Sequence, residues 1–307
     1  MADGSQYWGA QLTDPDENVR LWPGTAPGGE HLQLQLEIAE RSTSPEFKDR
    51  AATGISEPLF TVFRPSRADG SAVLIFTGGN YQRMVIDKEG FESARRLNEA
   101  GITAFVMRYR LPCEGWSPDA PLQDAQRAIR IVRAHAGAFD IDPARVGVLG
   151  ASAGGHVAAS LATRHAEQTY EPVDEADAGS ARPDFMGLLY PVVTMSGPDV
   201  SAGAREALLG KEPSQADMER YSRERSVDAD TPPAFLLAAV NDGTIPFGNT
   251  VLMYNALRAA NIPAELHLFE SGGHGFGIRL AGQSPVSIWP ELFLNWGKSR
   301  GYFRRHD

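Results

Sequence analysis

The feature that most constrains the fold is a six-residue segment near the middle of the chain, Gly150-Ala151-Ser152-Ala153-Gly154-Gly155. It follows the apolar run from Val146 to Leu149 and opens a stretch of small residues that predicts a helix, Ala153 to Arg164. A strand that turns at once into a helix needs glycine around the central serine, because larger side chains would collide in so sharp a turn. The sequence therefore predicts a strand–turn–helix unit with the Ser152 hydroxyl at the carboxyl end of a strand.

Apolar runs alternate with helical patterns along most of the chain, which is typical of a mostly parallel, twisted sheet with helices on both faces. Two or three strands come first. A period-two alternation of Leu32, Leu34, Leu36 and Ile38 predicts a strand from His31, and Leu59 to Phe63 and Ser71 to Phe76 predict the next two. Later strands are predicted over 102–109, 146–149, 185–193, 234–240 and 264–269. Helices are predicted over 88–100, with Asp87 as N-cap, and over 122–136, 153–164, 247–261 and 288–299.

The expected organisation is one large unit with a short preceding segment. Residues 1–30 are rich in Gly, Pro and Asp and predict an irregular N-terminal arm, part of which packs on the body through its tryptophans. Residues 31–307 predict a single α/β domain. Within it, polar residues 195–230 predict a small helical insertion near the site, rather than a large apolar lid.

A neutral serine is a poor nucleophile, so a nearby base has to take its proton. Of the seven histidines, His274 follows the last predicted strand in Ser271-Gly272-Gly273-His274-Gly275-Phe276, a loop whose glycines allow an imidazole to reach the sheet edge. We therefore expect Ser152 to be the nucleophile and His274 the base. His156, one helical turn after Ser152, is expected to pack within the structure.

The histidine in turn needs an acid that fixes its tautomer. Asp242 directly follows the predicted strand 234–240, which places it at the same sheet edge as Ser152 and His274. Asp199 is the second candidate and Asp228 a distant third. The order serine, aspartate, histidine, each after a core strand, favours Asp242.

Hydrolysis through a tetrahedral intermediate also needs donors for the developing oxyanion. The N–H of Ala153, the residue after the nucleophile, is one expected donor. The segment Thr77-Gly78-Gly79-Asn80-Tyr81, here called the glycine loop (residues 77–81), follows the strand 71–76, and Gly79 and Asn80 are expected to supply the others. Asparagine tolerates positive φ better than other non-glycine residues, so Asn80 can stand where a third glycine would.

Composition excludes several classes of function. The formal net charge of -10 argues against a general nucleic-acid binder, and the single cysteine excludes an internal disulfide or a cysteine-rich metal cluster. The sequence has neither a dinucleotide or phosphate-loop motif nor a histidine pair at metal spacing, so we expect no cofactor and no metal. We expect a soluble protein without a membrane partner, cytoplasmic as written and periplasmic or secreted if a leader was removed. Whether it forms a homo-oligomer is left open.

With these motifs in hand, the chain resembles the α/β-hydrolase superfamily, and within it the bacterial acetylesterase group of acetylxylan-esterase-like and feruloyl-esterase-like lipases. The resemblance runs over about residues 20–298. Its motifs are Leu21-Trp22-Pro23-Gly24, Gly78-Gly79-Asn80-Tyr81, Asp87-Lys88-Glu89-Gly90, Tyr109-Arg110-Leu111-Pro112, residues 124–128, the Ser152 turn, Tyr190-Pro191-Val192, residues 242–246 and residues 273–276. Relatives usually carry His-Gly-Gly-Gly or Pro-Gly-Gly-Gly where this chain has Thr77-Gly78-Gly79-Asn80, a departure that affects the pocket wall.

The resemblance implies a serine esterase that removes short acyl groups, with acetylated plant-wall carbohydrate as the target. Aromatic and apolar residues near the expected site are candidates for substrate contact: Tyr81, Trp116, Tyr190, Ile245 and Phe276. Core packing is the alternative for each aromatic residue, and the favoured one for Tyr190. Two alternatives stay open, a serine peptidase of the same fold and a non-catalytic binding protein that kept the fold.

Overall fold

The computed structural model describes residues 5–279 and 284–304, so the ends of the predicted arm and domain, 1–4 and 305–307, lie outside the described residues. Eleven strands are found in this part of the chain. They are β1 Asn18–Arg20, β2 Glu37–Glu40, β3 Arg50–Thr53, β4 Leu59–Phe63, β5 Ala72–Phe76, β6 Met84–Val85, β7 Thr103–Arg108, β8 Val146–Ala151, β9 Met186–Leu189, β10 Ala234–Ala239 and β11 Ala264–Phe269.

Eight of these strands form one sheet in the order β1-β4-β7-β5-β8-β9-β10-β11. The six strands from β7 to β11 in that order are parallel, whereas β4 is antiparallel to β7 and β1 is antiparallel to β4. The mostly parallel sheet that the alternating pattern predicts is confirmed. Strands β2, β3 and β6 form a second, antiparallel sheet.

Helices cover both faces of the main sheet, as predicted. In the described residues they are α1 Ser5–Trp8, α2 Glu92–Glu99, α3 Ala120–Ala134, α4 Ala153–Arg164, α5 Ala202–Leu209, α6 Gln215–Tyr221, α7 Gly248–Ala259 and α8 Trp289–Ser299. Alternate residues of β5 belong to two separate cores. Leu74 packs in the core that includes residues of α3, α4 and α7, and Val73 packs in the core that includes residues of α2 and α8. Strands buried on both faces explain the continuous apolar runs.

The parallel arrangement brings four segments to one edge of the sheet. Strands β5, β8, β10 and β11 are mutually parallel or share parallel neighbours, so their carboxyl ends point the same way. The segments that follow them contain the glycine loop, Ser152, Asp242 and His274 respectively. Strand order alone therefore places these residues on one side of the molecule.

The strand predicted from His31 is wrong over residues 31–36. Only Glu37–Glu40 is a strand, and it is exposed along its whole length in the small sheet. Leu32 and Leu34 are half-buried against the core while their neighbours are exposed, so the apolar alternation reflects an extended segment lying on the body. No strand in the described part of the chain pairs with that segment, and extended backbone without a pairing partner is not a β-strand.

The predicted irregular arm is partly wrong, because residues 5–8 form α1 and residues 18–20 form β1 of the main sheet. Trp22 is buried, and its Nε1 donates a 2.9 Å hydrogen bond to Asp124.

Asp87 is not an N-cap. It begins a π-helical segment, Asp87–Phe91, that runs into α2, and its carboxylate accepts hydrogen bonds from Arg50. The strand predicted over 185–193 ends at Leu189, before Tyr190 with φ of 37°. The region 195–230 contains α5, α6 and a 3-10 turn, Arg223–Ser226. None of the helices in residues 5–279 and 284–304 combines the length and apolarity needed to cross a bilayer.

Candidate active site

Ser152 occupies the sharp turn between β8 and α4. Its backbone has φ of 54° and ψ of -123°, a region that L-residues rarely adopt. A side-chain carbon at Gly154 would lie 2.1 Å from the carbonyl oxygen of Phe76, and one at Gly150 would lie 2.4 Å from the carbonyl oxygen of Gly154. Both positions therefore require glycine, which accounts for the motif that the sequence displays.

Ser152, His274 and Asp242 form a continuous hydrogen-bonded chain. Ser152 Oγ lies 2.9 Å from Nε2 of His274, and Nδ1 of the same ring lies 2.6 Å from Oδ2 of Asp242. Because an ionised carboxylate only accepts, Nδ1 carries the proton and Nε2 is free to accept from the serine hydroxyl. The structure thus brings together the three residues predicted for nucleophile, base and acid.

The Asp242 carboxylate is held from both sides. Its second oxygen, Oδ1, accepts backbone hydrogen bonds from Thr244 at 2.8 Å and Ile245 at 2.9 Å, and its side chain is only 1% exposed. This geometry aims Oδ2 at the imidazole.

The two other candidate acids lie elsewhere. Asp199 lies against the start of α7, where a side-chain carbon at Gly248 would approach it to 2.1 Å. Asp228 bonds within its own turn, to Asp230 and Thr231.

The glycine loop passes directly over the nucleophile. A side-chain carbon at Gly78 would lie 2.6 Å from Cβ of Ser152. The three residues that follow all have positive φ, at 128° for Gly79, 61° for Asn80 and 59° for Tyr81. Within the described residues, no internal acceptor binds the backbone N–H of Gly79, Asn80 or Ala153. These three groups are the predicted oxyanion donors, and they are free to bind a ligand.

A buried hydrogen-bond pair fastens the glycine loop to α4. Nε2 of His156 lies 2.7 Å from the carbonyl oxygen of Tyr221, which can only accept, so Nδ1 accepts from the Tyr81 hydroxyl at 2.7 Å. Burial, helped by the Arg223 guanidinium, lowers the pKa of His156 to about 3. Burial also raises the pKa of Tyr81 well above its usual value. Both groups are therefore neutral at physiological pH, and the packing role expected for His156 agrees with this contact.

The five residues predicted to contact substrate all have buried side chains, at 1–6% exposure: Tyr81, Trp116, Tyr190, Ile245 and Phe276. Trp116 donates to the carbonyl oxygen of Ile55 and stacks under Arg110, whose guanidinium carbon is 4.8 Å from the ring centroid. Tyr190 packs between His274 and Phe276, at ring separations of 5.0 and 4.5 Å. None of the five lines the cleft beside Asp242, whereas Trp116 lines a separate open pocket next to Gln82 and α5.

An open cleft of about 750 Å³ lies beside the Asp242 end of the triad. Its walls come from the glycine loop, the segment 200–203 and the loop 240–247. Its lining residues are Asn80, Gln82, Arg83, Val200, Ser201, Ala202, Gly203, Val240, Asp242, Gly243, Thr244, Pro246 and Phe247. Phe247 and Val240 are among the large apolar side chains with the greatest exposure, at 37% and 44%.

Sequence reasoning missed Gln82, Arg83, Val240 and Phe247 as lining residues of this cleft. The signal in the sequence was their position. Gln82 and Arg83 directly follow the glycine loop, and Val240 and Phe247 flank the segment 241–246 that contains Asp242. It also missed Glu89, a buried carboxylate whose Oε2 accepts the N–H of Gly78 at 2.7 Å. Among the described residues, no group of three His, Cys, Asp or Glu side chains is arranged to hold a metal ion.

The chain is similar in sequence to two curated proteins. The chain is 32% identical over 235 residues to the endo-1,4-beta-xylanase B of Butyrivibrio fibrisolvens, covering 76% of this chain and 36% of that protein. It is 33% identical over 220 residues to the acetylxylan esterase of Xylanibacter ruminicola, covering 70% of this chain and 43% of that protein. The chain therefore spans less than half the length of either relative.

A solved structure matches over nearly the whole chain. The acetyl ester-xyloside bifunctional hydrolase of Caldicellulosiruptor lactoaceticus is 30% identical and superposes with a TM-score of 0.78, covering 95% of this chain and 99% of that one. The family model of BD-FAE matches residues 62–257, which run from β4 to α7 and include Ser152 and Asp242. The chain belongs to the BD-FAE family and has the α/β-hydrolase fold.

Proposed function

We propose that this protein is a serine carboxylester hydrolase that removes short acyl groups, acetyl above all, from carbohydrate or small esters. The observation that carries the proposal is the chain from Ser152 Oγ through His274 to Asp242, at 2.9 and 2.6 Å, beside the unpaired N–H groups of the glycine loop. A nucleophile, an oriented base and an oxyanion site in contact are what acyl transfer requires.

The first half-reaction forms an acyl-enzyme. Ser152 Oγ attacks the ester carbonyl carbon while its proton passes to Nε2 of His274, and Asp242 stabilises the resulting imidazolium. The N–H groups of Gly79, Asn80 and Ala153 donate to the oxyanion. When the tetrahedral intermediate collapses, the C–O bond to the alcohol breaks and His274 returns the proton to the leaving oxygen.

The second half-reaction releases the acid. Water takes the position that the alcohol has left, and His274 accepts one of its protons as the oxygen attacks the acyl carbon. Collapse of the second intermediate breaks the bond to Ser152 Oγ, which regains its proton from His274. One ester and one water thus yield one alcohol and one carboxylic acid, with the serine and histidine restored.

The character of the cleft supports a polar alcohol as the leaving group. Gln82 and Arg83 have exposed side chains on one wall, and Phe247 presents an exposed ring on the other. Sugars are recognised by hydrogen bonds from such polar groups together with stacking on an aromatic ring. The preference for acetyl rests on the names of the relatives, an acetylxylan esterase and an acetyl ester-xyloside hydrolase.

A substrate panel tests the proposal. We expect hydrolysis of p-nitrophenyl acetate faster than butyrate, release of acetate from acetylated xylan, and labelling by a fluorophosphonate probe. Ser152→Ala should lower kcat by ~10^5-fold and abolish labelling. Ser152→Ala with unchanged turnover would exclude the mechanism, and a folded protein that cleaves none of the esters and is not labelled would favour a binding role. Cleavage of aminoacyl-naphthylamides in preference to esters would instead favour a peptidase.

A further inference from the structure

A carboxylate that the proposed mechanism does not use is buried next to the nucleophile. Glu89 belongs to the π-helical segment Asp87–Phe91 and is 5% exposed. Oε2 accepts the N–H of Gly78 at 2.7 Å and Oε1 accepts the hydroxyl of Tyr190 at 3.2 Å. Within the described part of the chain, no arginine, lysine or histidine forms an ion pair with it. A buried acid satisfied only by neutral donors is costly to keep.

The first of these bonds acts on the glycine loop. The N–H that Glu89 holds belongs to Gly78, the residue packed against Cβ of Ser152. Holding that N–H fixes the orientation of the peptide between Thr77 and Gly78. The free N–H groups of Gly79 and Asn80 follow directly along the chain, so the same bond fixes where the turn that presents them begins.

The second bond acts on the segment that carries the base, here called the histidine loop (residues 271–277). The Tyr190 hydroxyl, which donates to Glu89, also accepts the N–H of Gly277 at 3.2 Å, and its ring packs 5.0 Å from the ring of His274. Burial, and then the nearby Glu89 charge, raise the pKa of Tyr190 well above its usual value, so the hydroxyl keeps its proton and stays a donor.

We infer that Glu89 is a positioning residue that ties the glycine loop to the histidine loop and so sets the oxyanion donors and the base in register around Ser152. The inference rests on the proposed function. Two donors converge on this side chain: the N–H of Gly78 in the glycine loop, and the hydroxyl of Tyr190, which in turn accepts from Gly277 of the histidine loop. π-Helical segments are frequent at functional sites, and this one turns Glu89 into the interior ahead of the regular helix α2.

The substitutions Glu89→Ala and Glu89→Gln distinguish a positioning role for Glu89 from a general contribution to stability. Alanine removes both acceptors, so kcat for p-nitrophenyl acetate should fall by about 10- to 100-fold with KM within about two-fold, because misplaced donors weaken the transition state and not ground-state binding. Glutamine can accept from Gly78 and donate to the Tyr190 oxygen, so kcat should stay within about five-fold of the natural protein. Tyr190→Phe keeps the ring and removes the hydroxyl that links Glu89 to Gly277. Its kcat should fall by an amount between those of Glu89→Gln and Glu89→Ala.

Glu92→Ala is the matched control. Glu92 is a buried carboxylate one turn further on, but it pairs with Arg279 and contacts neither loop of the site. Its removal should lower the melting temperature and leave kcat unchanged. Hydrogen exchange of a peptide spanning residues 77–81 gives a second readout, which should quicken in Glu89→Ala and not in Glu92→Ala.

The outcomes are distinguishable. If Glu89→Ala folds and keeps the natural kcat and the natural exchange of residues 77–81, the inference is overturned. It is equally overturned if Glu92→Ala loses as much kcat as Glu89→Ala. Should Glu89→Ala fail to fold, a folded Tyr190→Phe with natural kcat and exchange overturns it. If the natural protein hydrolyses no ester while exchange quickens as expected, the proposed function fails and the positioning role stands.

Discussion

The Tyr81 hydroxyl donates to Nδ1 of His156 over 2.7 Å, so a residue of the glycine loop is bonded to the helix that begins directly after Ser152. Tyr81 has φ of 59° and follows Asn80 at 61°. Two successive non-glycine residues in this region are strained, and they persist only where their surroundings hold them. The buried hydrogen bond supplies such a restraint at the far end of the turn.

Removing this bond should loosen the turn. Tyr81→Phe leaves the buried Nδ1 without a donor, so the free energy of unfolding should fall by about 1–2 kcal/mol. The kcat for p-nitrophenyl acetate should fall by about 3- to 10-fold, because Gly79 and Asn80 are held less firmly. Urea unfolding and steady-state kinetics measure the two effects.

Tyr170→Phe is the control for this change. Tyr170 donates to Asp177 outside the site, so its removal should lower stability without changing kcat. Equal kcat losses in the two variants would contradict the restraint described for Tyr81.

The roles of the aspartates can be separated by amide substitution. Asp242→Asn should lower kcat/KM for p-nitrophenyl acetate by ~10^3- to 10^4-fold, since an amide at this position favours the wrong tautomer of His274. Asp199→Asn should stay within about two-fold, because Asp199 makes no contact with the imidazole among the described residues. A large loss in Asp199→Asn with little loss in Asp242→Asn would reverse the assignment.

The exposed ring of Phe247 should matter only for bulky leaving groups. Phe247→Ala removes about 1 kcal/mol of stacking, which corresponds to an about five-fold rise in KM for acetylated xylo-oligosaccharides. The kcat/KM for p-nitrophenyl acetate should change little. Val173→Ala, at a similarly exposed position away from the cleft, should alter neither value. If Phe247→Ala lowers kcat/KM equally for both substrates, the cleft does not select the alcohol.

Stability should depend on pH through His156. Its pKa is about 3 in the folded protein against 6.5 for an ordinary histidine, so between these values the unfolded chain binds a proton that the folded chain does not. His156 therefore costs no stability above pH 6.5, and the free energy of unfolding falls by about 1.4 kcal/mol for each pH unit between pH 6.5 and a pKa of about 3. His156→Gln should show a shallower loss on acidification in urea unfolding. Parallel stability curves for the two proteins would contradict the assignment of this proton to His156.

The sequence predicted the parallel sheet and the three residues of the proposed triad because each signal is local and is tied to a strand end. Three local signals each follow a strand. The glycines around Ser152 follow β8, the glycines of the histidine loop follow β11, and the Asp-Gly turn at Asp242 follows β10. In a parallel sheet the carboxyl ends of the strands lie along one edge. A residue that directly follows a strand is therefore predicted to lie at that edge.

Other features depend on information that the pattern does not contain. An aromatic residue near a site can face the interior or solvent, and Tyr190 and Phe276 face inward whereas Phe247 does not. Glu89 looks like an ordinary exposed residue in the first turn of a helix, and only the π-helical geometry turns it toward Gly78. The alternation of Leu32 and Leu34 marks alternate burial but not hydrogen bonding to a neighbour, which is why the strand predicted there is wrong.

The short strand β1 has a consequence for the solubility of shortened forms of the chain. It covers the outer side of β4, whose five residues are all buried. Without residues 5–20, β4 would present unpaired backbone groups and apolar side chains as an open edge, the kind of surface that recruits strands from other molecules. A fragment that begins at residue 21 would keep all of β4 together with Ser152, Asp242 and His274, and it would still be prone to aggregate. The three residues of β1 thus protect this edge of the main sheet from β-pairing with other molecules.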